Sequence, residues 1–111
     1  MSEDTQQELD GLFFALSNGK RRAIITTLAY RPASIDQLAK EHGLSLPAIH
    51  KHIATLEESG LVRRLKAGRT NYLALNPSRL GLVKAWATRF NTAWGSDAES
   101  LENYIQQLTS K

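Results

Sequence analysis

The run from Ser34 to Val62, SIDQLAKEHGLSLPAIHKHIATLEESGLV, sets the architecture. Ser34 and Gln37 have the spacing of a capping box, in which each side chain satisfies an orphan amide of a helix's first turn. The helix that follows buries Ile35, Leu38 and Ala39 and stops near Gly43, a residue type favoured just past a helix end. Only Leu44 intervenes before Ser45, the next N-cap, and Pro47 falls in a first turn where its missing N–H costs little. Ile49, Ile53 and Leu56 then form the apolar stripe of a second helix that ends at Gly60. Two short helices joined by about three to four residues make a helix-turn-helix.

On the N-terminal side, Leu9, Leu12, Phe13 and Leu16 recur at helical spacing, and Ser17-Asn18-Gly19 interrupts them. Ile24, Ile25 and Leu28 mark another helix from about Lys20 to Ala29, which Pro32 terminates by biasing Arg31 toward extended angles. On the C-terminal side the period shortens. Leu61 to Leu65 and Tyr72 to Leu75 read as strands, with Lys66 to Asn71 as a hairpin loop containing Gly68. From Leu80 the apolar residues Val83, Trp86, Phe90, Trp94, Leu101, Ile105 and Leu108 fall mostly three or four apart. That spacing predicts one long helix running through Gly95, although Ser96 to Glu99 offers a fresh capping box. The expected fold is therefore mainly α with a small β-hairpin, in the order α-α-α-α-β-β-α, as a single domain over 1–111. Residues 1–7 are expected to be flexible, 34–59 to form the helix-turn-helix and 61–75 the hairpin.

The chain carries fourteen Lys and Arg against eleven Asp and Glu, a net +3 unevenly spread. Residues 1–19 hold four acidic and no basic groups, a net −4. Residues 20–75 hold ten basic and four acidic groups, a net +6. A basic middle suits a polyanionic partner, and a solvated charged face is the equally open alternative. There is no cysteine, which excludes disulfide scaffolds, thiolate metal sites and cysteine nucleophiles. Apolar runs such as Gly11 to Leu16 are far shorter than the roughly 20 residues of a membrane span. The acidic start Met1-Ser2-Glu3-Asp4 lacks the features of a secretory signal, so a cytoplasmic location is expected. No phosphate-binding glycine loop appears, and no Ser and His have the spacing of an activated nucleophile, so no enzymatic activity is expected.

Leu38 to Ile53, with its Gly43-Leu44-Ser45 turn, and Leu56-Glu57-Glu58-Ser59-Gly60-Leu61-Val62 together resemble the ArsR/SmtB-type winged-helix repressors. Leu16 to Arg22 is similar to that family's joint between its first two helices, and Gly68 to Leu75 to its wing. Trp86, Phe90 and Trp94 resemble the last helix of one of its subgroups. The resemblance implies a homodimer that binds an inverted-repeat operator in double-stranded DNA and represses transcription. It places the fourth helix in the major groove and makes 9–17 and 79–109 dimerisation helices. Leu9, Leu12, Phe13, Leu16, Trp86, Phe90, Trp94 and Leu101 are then the expected dimer contacts.

At roughly 100° per residue, the core stripe of the fourth helix leaves Pro47, Lys51, Ala54 and Glu58 outermost. Leu46, Ala48, His50 and Lys51 are the candidates to touch bases; Lys51 can donate to guanine, while Leu46 and Ala48 offer only apolar contact. Thr55 flanks the same face. Ser45 is a cap or, in addition, a phosphate ligand. Lys66, Arg69 and Thr70 at the hairpin suit phosphates or the minor groove, with Arg63 and Arg64 along the strand. Arg21 and Arg22 stay open between structural and DNA roles, as does His52 between packing and a phosphate. His42 suits the negative end of its helix. Many of the family's members sense metals, but Ser34 and Asp36 stand where the resemblance puts its cysteines, and no histidine follows residue 75. No metal or cofactor is expected. Two alternatives to an unliganded repressor remain: a winged-helix module that binds protein, and a repressor gated by a small molecule at the dimer helices.

Overall fold

Leu38, Ile49, Ile53 and Leu56, the stripes of the two helices read first, are wholly removed from solvent in a computed structural model that describes residues 2–90 and 97–110. They belong to one core shared by α1 (Glu3–Leu16), α2 (Gly19–Tyr30), β1 (Ala33–Ser34), α3 (Ile35–Glu41), α4 (Leu46–Glu58), β2 (Val62–Ala67) and β3 (Thr70–Leu75). Two more helices, α5 (Pro77–Thr88) and α6 (Asp97–Thr109), complete the described chain.

The helix ends are set by local chemistry. Ser2, Asn18, Ser34 and Ser45 each accept a backbone N–H from the first turn of the helix they precede. Ser34 and Gln37 form the full capping box, with Ser34 N–H donating to Gln37 Oε1 at 2.9 Å. Both helices of the helix-turn-helix close in the same way. Leu44 N–H reaches Ala39 O and Gly43 N–H reaches Lys40 O after α3; Leu61 N–H reaches Leu56 O and Gly60 N–H reaches Glu57 O after α4. These paired bonds define a Schellman motif, which needs a left-handed residue, and Gly60 supplies it with φ +77. Leu56 and Leu61, brought together by the second motif, are both fully buried.

Four features depart from the sequence reading. The strands are longer than expected, so the hairpin closes on a two-residue turn, Gly68 and Arg69, between paired Ala67 and Thr70. Positive φ is confined to Gly68 there, which suits the primed turns that match strand twist. A third strand is added, because Ala33 and Ser34 pair antiparallel with Leu73 and Tyr72 to give the order β1-β3-β2. Helix α1 begins at Glu3 rather than beyond residue 7, since Ser2 Oγ accepts Thr5 N–H.

The fourth departure concerns the expected continuous last helix. Helix α5 stops at Thr88, where Arg89 N–H turns back to Trp86 O and Phe90 N–H to Ala87 O. These are i→i−3 bonds that tighten and end a helix, and Thr88 Oγ1 bonds Ala85 O in the same turn. Gly95, through which continuity was expected, lies outside the described residues. Helix α6 carries an exposed seam of Leu101, Tyr104, Ile105 and Leu108.

Arg79 ties the C-terminal half to the core. Its Nε donates to Ser59 O at 3.2 Å and its Nη1 to Glu8 Oε2 at 2.8 Å, linking α5 to the end of α4 and to α1.

Candidate nucleic-acid interface

Burial of Ile49, Ile53 and Leu56 fixes the roll of α4 about its axis and thereby selects the face turned outward. Ser45, Leu46, Pro47, His50 and Lys51 are exposed on it, while Ala48 and Thr55 are half-buried at its margin. Leu46 leaves about half its surface, 51%, in solvent, unusual for a leucine beside a packed core. Ser45 Oγ accepts Ala48 N–H at 3.3 Å, so its hydroxyl acts as a cap in the free protein. Thr55 Oγ1 donates to Lys51 O, which turns its hydroxyl back onto the helix.

The hairpin lies against one flank of this face. Leu46 and His50 of α4 and Arg69, Thr70 and Asn71 of the hairpin line one notch of about 240 Å³. Its remaining walls are Ser34, Ile35 and Asp36 at the start of α3. The fold thus joins two separately expected groups, the helix-start residues and the turn residues Arg69 and Thr70. Lys66 is exposed on β2 and does not line the notch. Sequence reasoning missed Asp36 and Asn71 as members of this notch. Asp36 bears in the sequence only on the metal question, and what brings Asn71 beside Asp36, Leu46 and His50 is the packing of the hairpin against α3 and α4, a contact over more than twenty residues.

The other flank of α4 faces α2. Arg21 is buried, with Nε donating to Ala15 O at 2.7 Å, Nη2 to Phe14 O at 2.9 Å, and its guanidinium over the Phe14 ring. Arg22 Nη1 donates to Leu16 O at 2.7 Å. Both arginines therefore satisfy the orphan carbonyls at the end of α1, a structural task that favours cations at the negative helix end. Arg21 Nη1 also lies 3.5 Å from His52 Nδ1. Burial, then the positive charges of Arg21, Lys20 and Lys51, hold the His52 pKa below the ordinary imidazole value. His42 ends α3 as its C-cap; its Nε2 pairs with Thr27 Oγ1 at 3.0 Å and its carbonyl accepts Lys20 Nζ at 2.8 Å. Arg64 is engaged by Glu57 at 2.9 Å, whereas Arg63 is exposed on the strand beside it.

The expected dimer residues divide. Leu9 and Leu12 are buried within the chain's own core, so they leave no surface for a second copy to cover. Leu16 and Trp86 are half-buried against that core. Phe13 packs edge-on to Trp86 at 5.2 Å between ring centroids, and Trp86 edge-on to Phe90 at 4.9 Å. Phe13, Phe90 and Leu101 remain exposed, and Trp94 lies outside the described residues. Phe14, which the seam reading omitted, is also exposed. Among the described residues no three His, Asp or Glu side chains gather as a metal-holding group. Ser34 is committed to its cap, and the residues at the family's cysteine positions do not fit a thiolate site.

A family profile described as a helix-turn-helix domain matches residues 16–64. The chain is 31% identical over 107 residues to the HTH-type transcriptional regulator Rv2034 of Mycobacterium tuberculosis, covering 96% of this chain and 94% of that one. A crystal structure of an ArsR family transcriptional regulator is 37% identical, with a TM-score of 0.71 over 76% of this chain and 87% of that one. The solution structure of a homodimeric winged helix-turn-helix DNA-binding domain from Mycobacterium bovis shares the fold. Its TM-score is 0.68 at 19% identity, over 80% of this chain and 87% of that one.

Proposed function

Taking as given that the chain belongs to the ArsR family of winged helix-turn-helix transcriptional regulators, we propose that it is a homodimeric repressor of an inverted-repeat operator. Helix α4 enters the major groove, and the β2–β3 wing lies along the backbone or minor groove beside it. One observation carries this reading: the exposed start of α4 and the wing turn border the same notch, so both meet one DNA surface at once. An α-helix with its side chains is about as wide as the major groove, so the outward residues meet base edges. Lys51 donates to a guanine, while Leu46 and Ala48 touch apolar base edges such as thymine methyls. Arg69, Thr70 and Lys66 hold phosphates and set the register.

A two-fold dimer presents two such faces about one helical turn of DNA apart, which requires an inverted repeat. The exposed Phe13, Phe90 and Leu101 supply apolar surface for the second copy, with Trp86 beneath them. Contiguous exposed apolar surface on a small domain is a common mark of an interface. The homodimeric relative from Mycobacterium bovis lends support to this assembly. A regulator that meets chromosomal DNA in this way works in the cytoplasm.

A gel-shift titration on the DNA upstream of the protein's own coding sequence, against an unrelated duplex of equal length, tests the reading. A discrete shift that survives competition, with two footprinted half-sites, is the expected result. Equal competition by the unrelated duplex removes that fragment as an operator. Loss of any salt dependence removes the phosphate-binding scheme altogether.

A further inference from the structure

His52 projects from the flank of α4 that faces α2, about a third of a turn from the core residue Ile53 on one side and from outermost Lys51 on the other. Its Nδ1 faces Arg21 Nη1 at 3.5 Å. Arg21 cannot move away from it freely, because the same guanidinium is fixed by Phe14 O and Ala15 O and covered by the Phe14 ring. A guanidinium has donors only and stays charged, so the nitrogen turned toward it presents a lone pair. The neutral imidazole therefore carries its proton on Nε2.

That second nitrogen has no hydrogen-bond partner among the described residues, and no buried side-chain nitrogen in them lacks one, so Nε2–H opens to solvent. Lys20 and Lys51 lie close enough for their charges to act on the ring alongside Arg21. Lys20 is tied to His42 O and Arg21 to α1, so neither cation needs to leave its place when an anion arrives. An N–H donor open to solvent among three cations suits an anionic oxygen, and on a helix that enters DNA the anion at hand is a backbone phosphodiester.

The position on the helix agrees. When α4 fills the major groove, its outward residues meet bases and its two flanks meet the backbones that wall the groove. His50 occupies the flank toward the wing notch and His52 the flank toward α2. We propose that His52 donates its Nε2–H, as a neutral imidazole, to a DNA backbone phosphate, with Arg21 as the positioning residue that sets its tautomer. The inference rests on the groove-docking reading above.

Two measurements test it on the full chain. The first is nitrogen-15 NMR of the imidazoles without DNA, in the wild type and Arg21→Met. The wild type is expected to show His52 as the Nε2–H tautomer near neutral pH, with mixed tautomers in Arg21→Met. An Nδ1–H or fully protonated ring in the wild type overturns the proposal, whether or not Arg21→Met folds.

The second is fluorescence anisotropy with two labelled duplexes, the protein's upstream fragment and an unrelated sequence, over a salt series. His52→Ala is expected to weaken both by about three- to tenfold, the scale of one neutral hydrogen bond. The salt slope should stay unchanged, because a neutral donor releases no counterion. His52→Gln, whose amide nitrogen reaches the Nε2 position, should restore binding; His52→Asn, which reaches only the Nδ1 position, should not. Wild-type binding with an unaffected His52→Ala overturns the proposal alone. A loss confined to one sequence, or a shallower slope, does so too, by making His52 a base reader or an imidazolium. A wild type that binds neither duplex overturns the groove-docking reading and this proposal with it, even if the tautomer is as expected.

Discussion

Gly60→Ala should cost far more than the added methyl group suggests, and the loss should reach DNA binding through geometry alone. Gly60 has φ +77, a left-handed angle that costs an L-residue roughly 1–2 kcal/mol. A Cβ there would stand 2.9 Å from Arg79 Nε and 3.3 Å from its Cδ. Arg79 must therefore swing away, giving up its bond to Ser59 O and its contact with Glu8. The buried-side bond is worth about 0.5–1.5 kcal/mol and the largely exposed ion pair about 0–1 kcal/mol. Together these give roughly 1.5–4.5 kcal/mol, or on the order of 10–20 °C in Tm for a domain of this size. Urea denaturation of wild type, Gly60→Ala, Arg79→Ala and the double variant, at one protein concentration, measures the terms separately. Part of the Gly60→Ala loss should vanish on the Arg79→Ala background, leaving the backbone-angle share. Purely additive losses would show that the Arg79 contact plays no part, and a Gly60→Ala loss below about 0.5 kcal/mol would refute the strain argument itself. Because Gly60 joins α4 to β2, folded Gly60→Ala should also bind operator less well, although it alters no surface side chain.

Lys51→Ala should relax specificity at one base position, whereas Arg69→Ala should weaken all sequences alike and reduce the salt slope by about one, both readable in a competition series. Phe90→Glu lies on an exposed ring and should leave the protomer folded while dissociating the dimer in sedimentation velocity; an unchanged dimer would move the interface elsewhere. His52 binds its proton more weakly in the folded chain than unfolded, so the folded state is disfavoured wherever the unfolded one takes up the proton first. Stability should therefore fall as pH drops from near neutral through the lowered folded value, and His52→Gln should flatten that part of the pH profile of Tm.

Legibility followed the range of the interactions. The capping box of Ser34 and Gln37, the Ser45 cap, the glycine stops and the stripe Ile49, Ile53, Leu56 were all readable, because each is settled within about one or two helical turns. The outward set of α4 followed from that stripe without any coordinates. Beyond this range the reading failed in specific ways. Ala33 and Ser34 looked like the approach to a helix and also form a strand, because their partner Leu73 lies some forty residues away. One failure lies within that range: the hairpin turn is two residues long because Lys66 pairs with Asn71 and Ala67 with Thr70, and the polar side chains there masked strand pairing that is local in sequence. Leu9 and Leu12 shared their spacing with Phe13 and Leu16, and periodicity cannot say whether a seam faces its own core or a second copy.

Local chemistry along the chain was thus enough to establish the helix-turn-helix, the class of fold and the side chains presented by α4. Folding in three dimensions had to add three things. It set the wing turn against Leu46 and His50, it folded Arg21 inward onto the carbonyls of α1, and it turned one face of His52 toward that arginine. The first and the last depend on elements far apart in sequence meeting across a shared core, which no periodicity or capping rule reaches. The second is short in sequence, but which way a side chain at the joint of two helices turns is decided by how those helices pack.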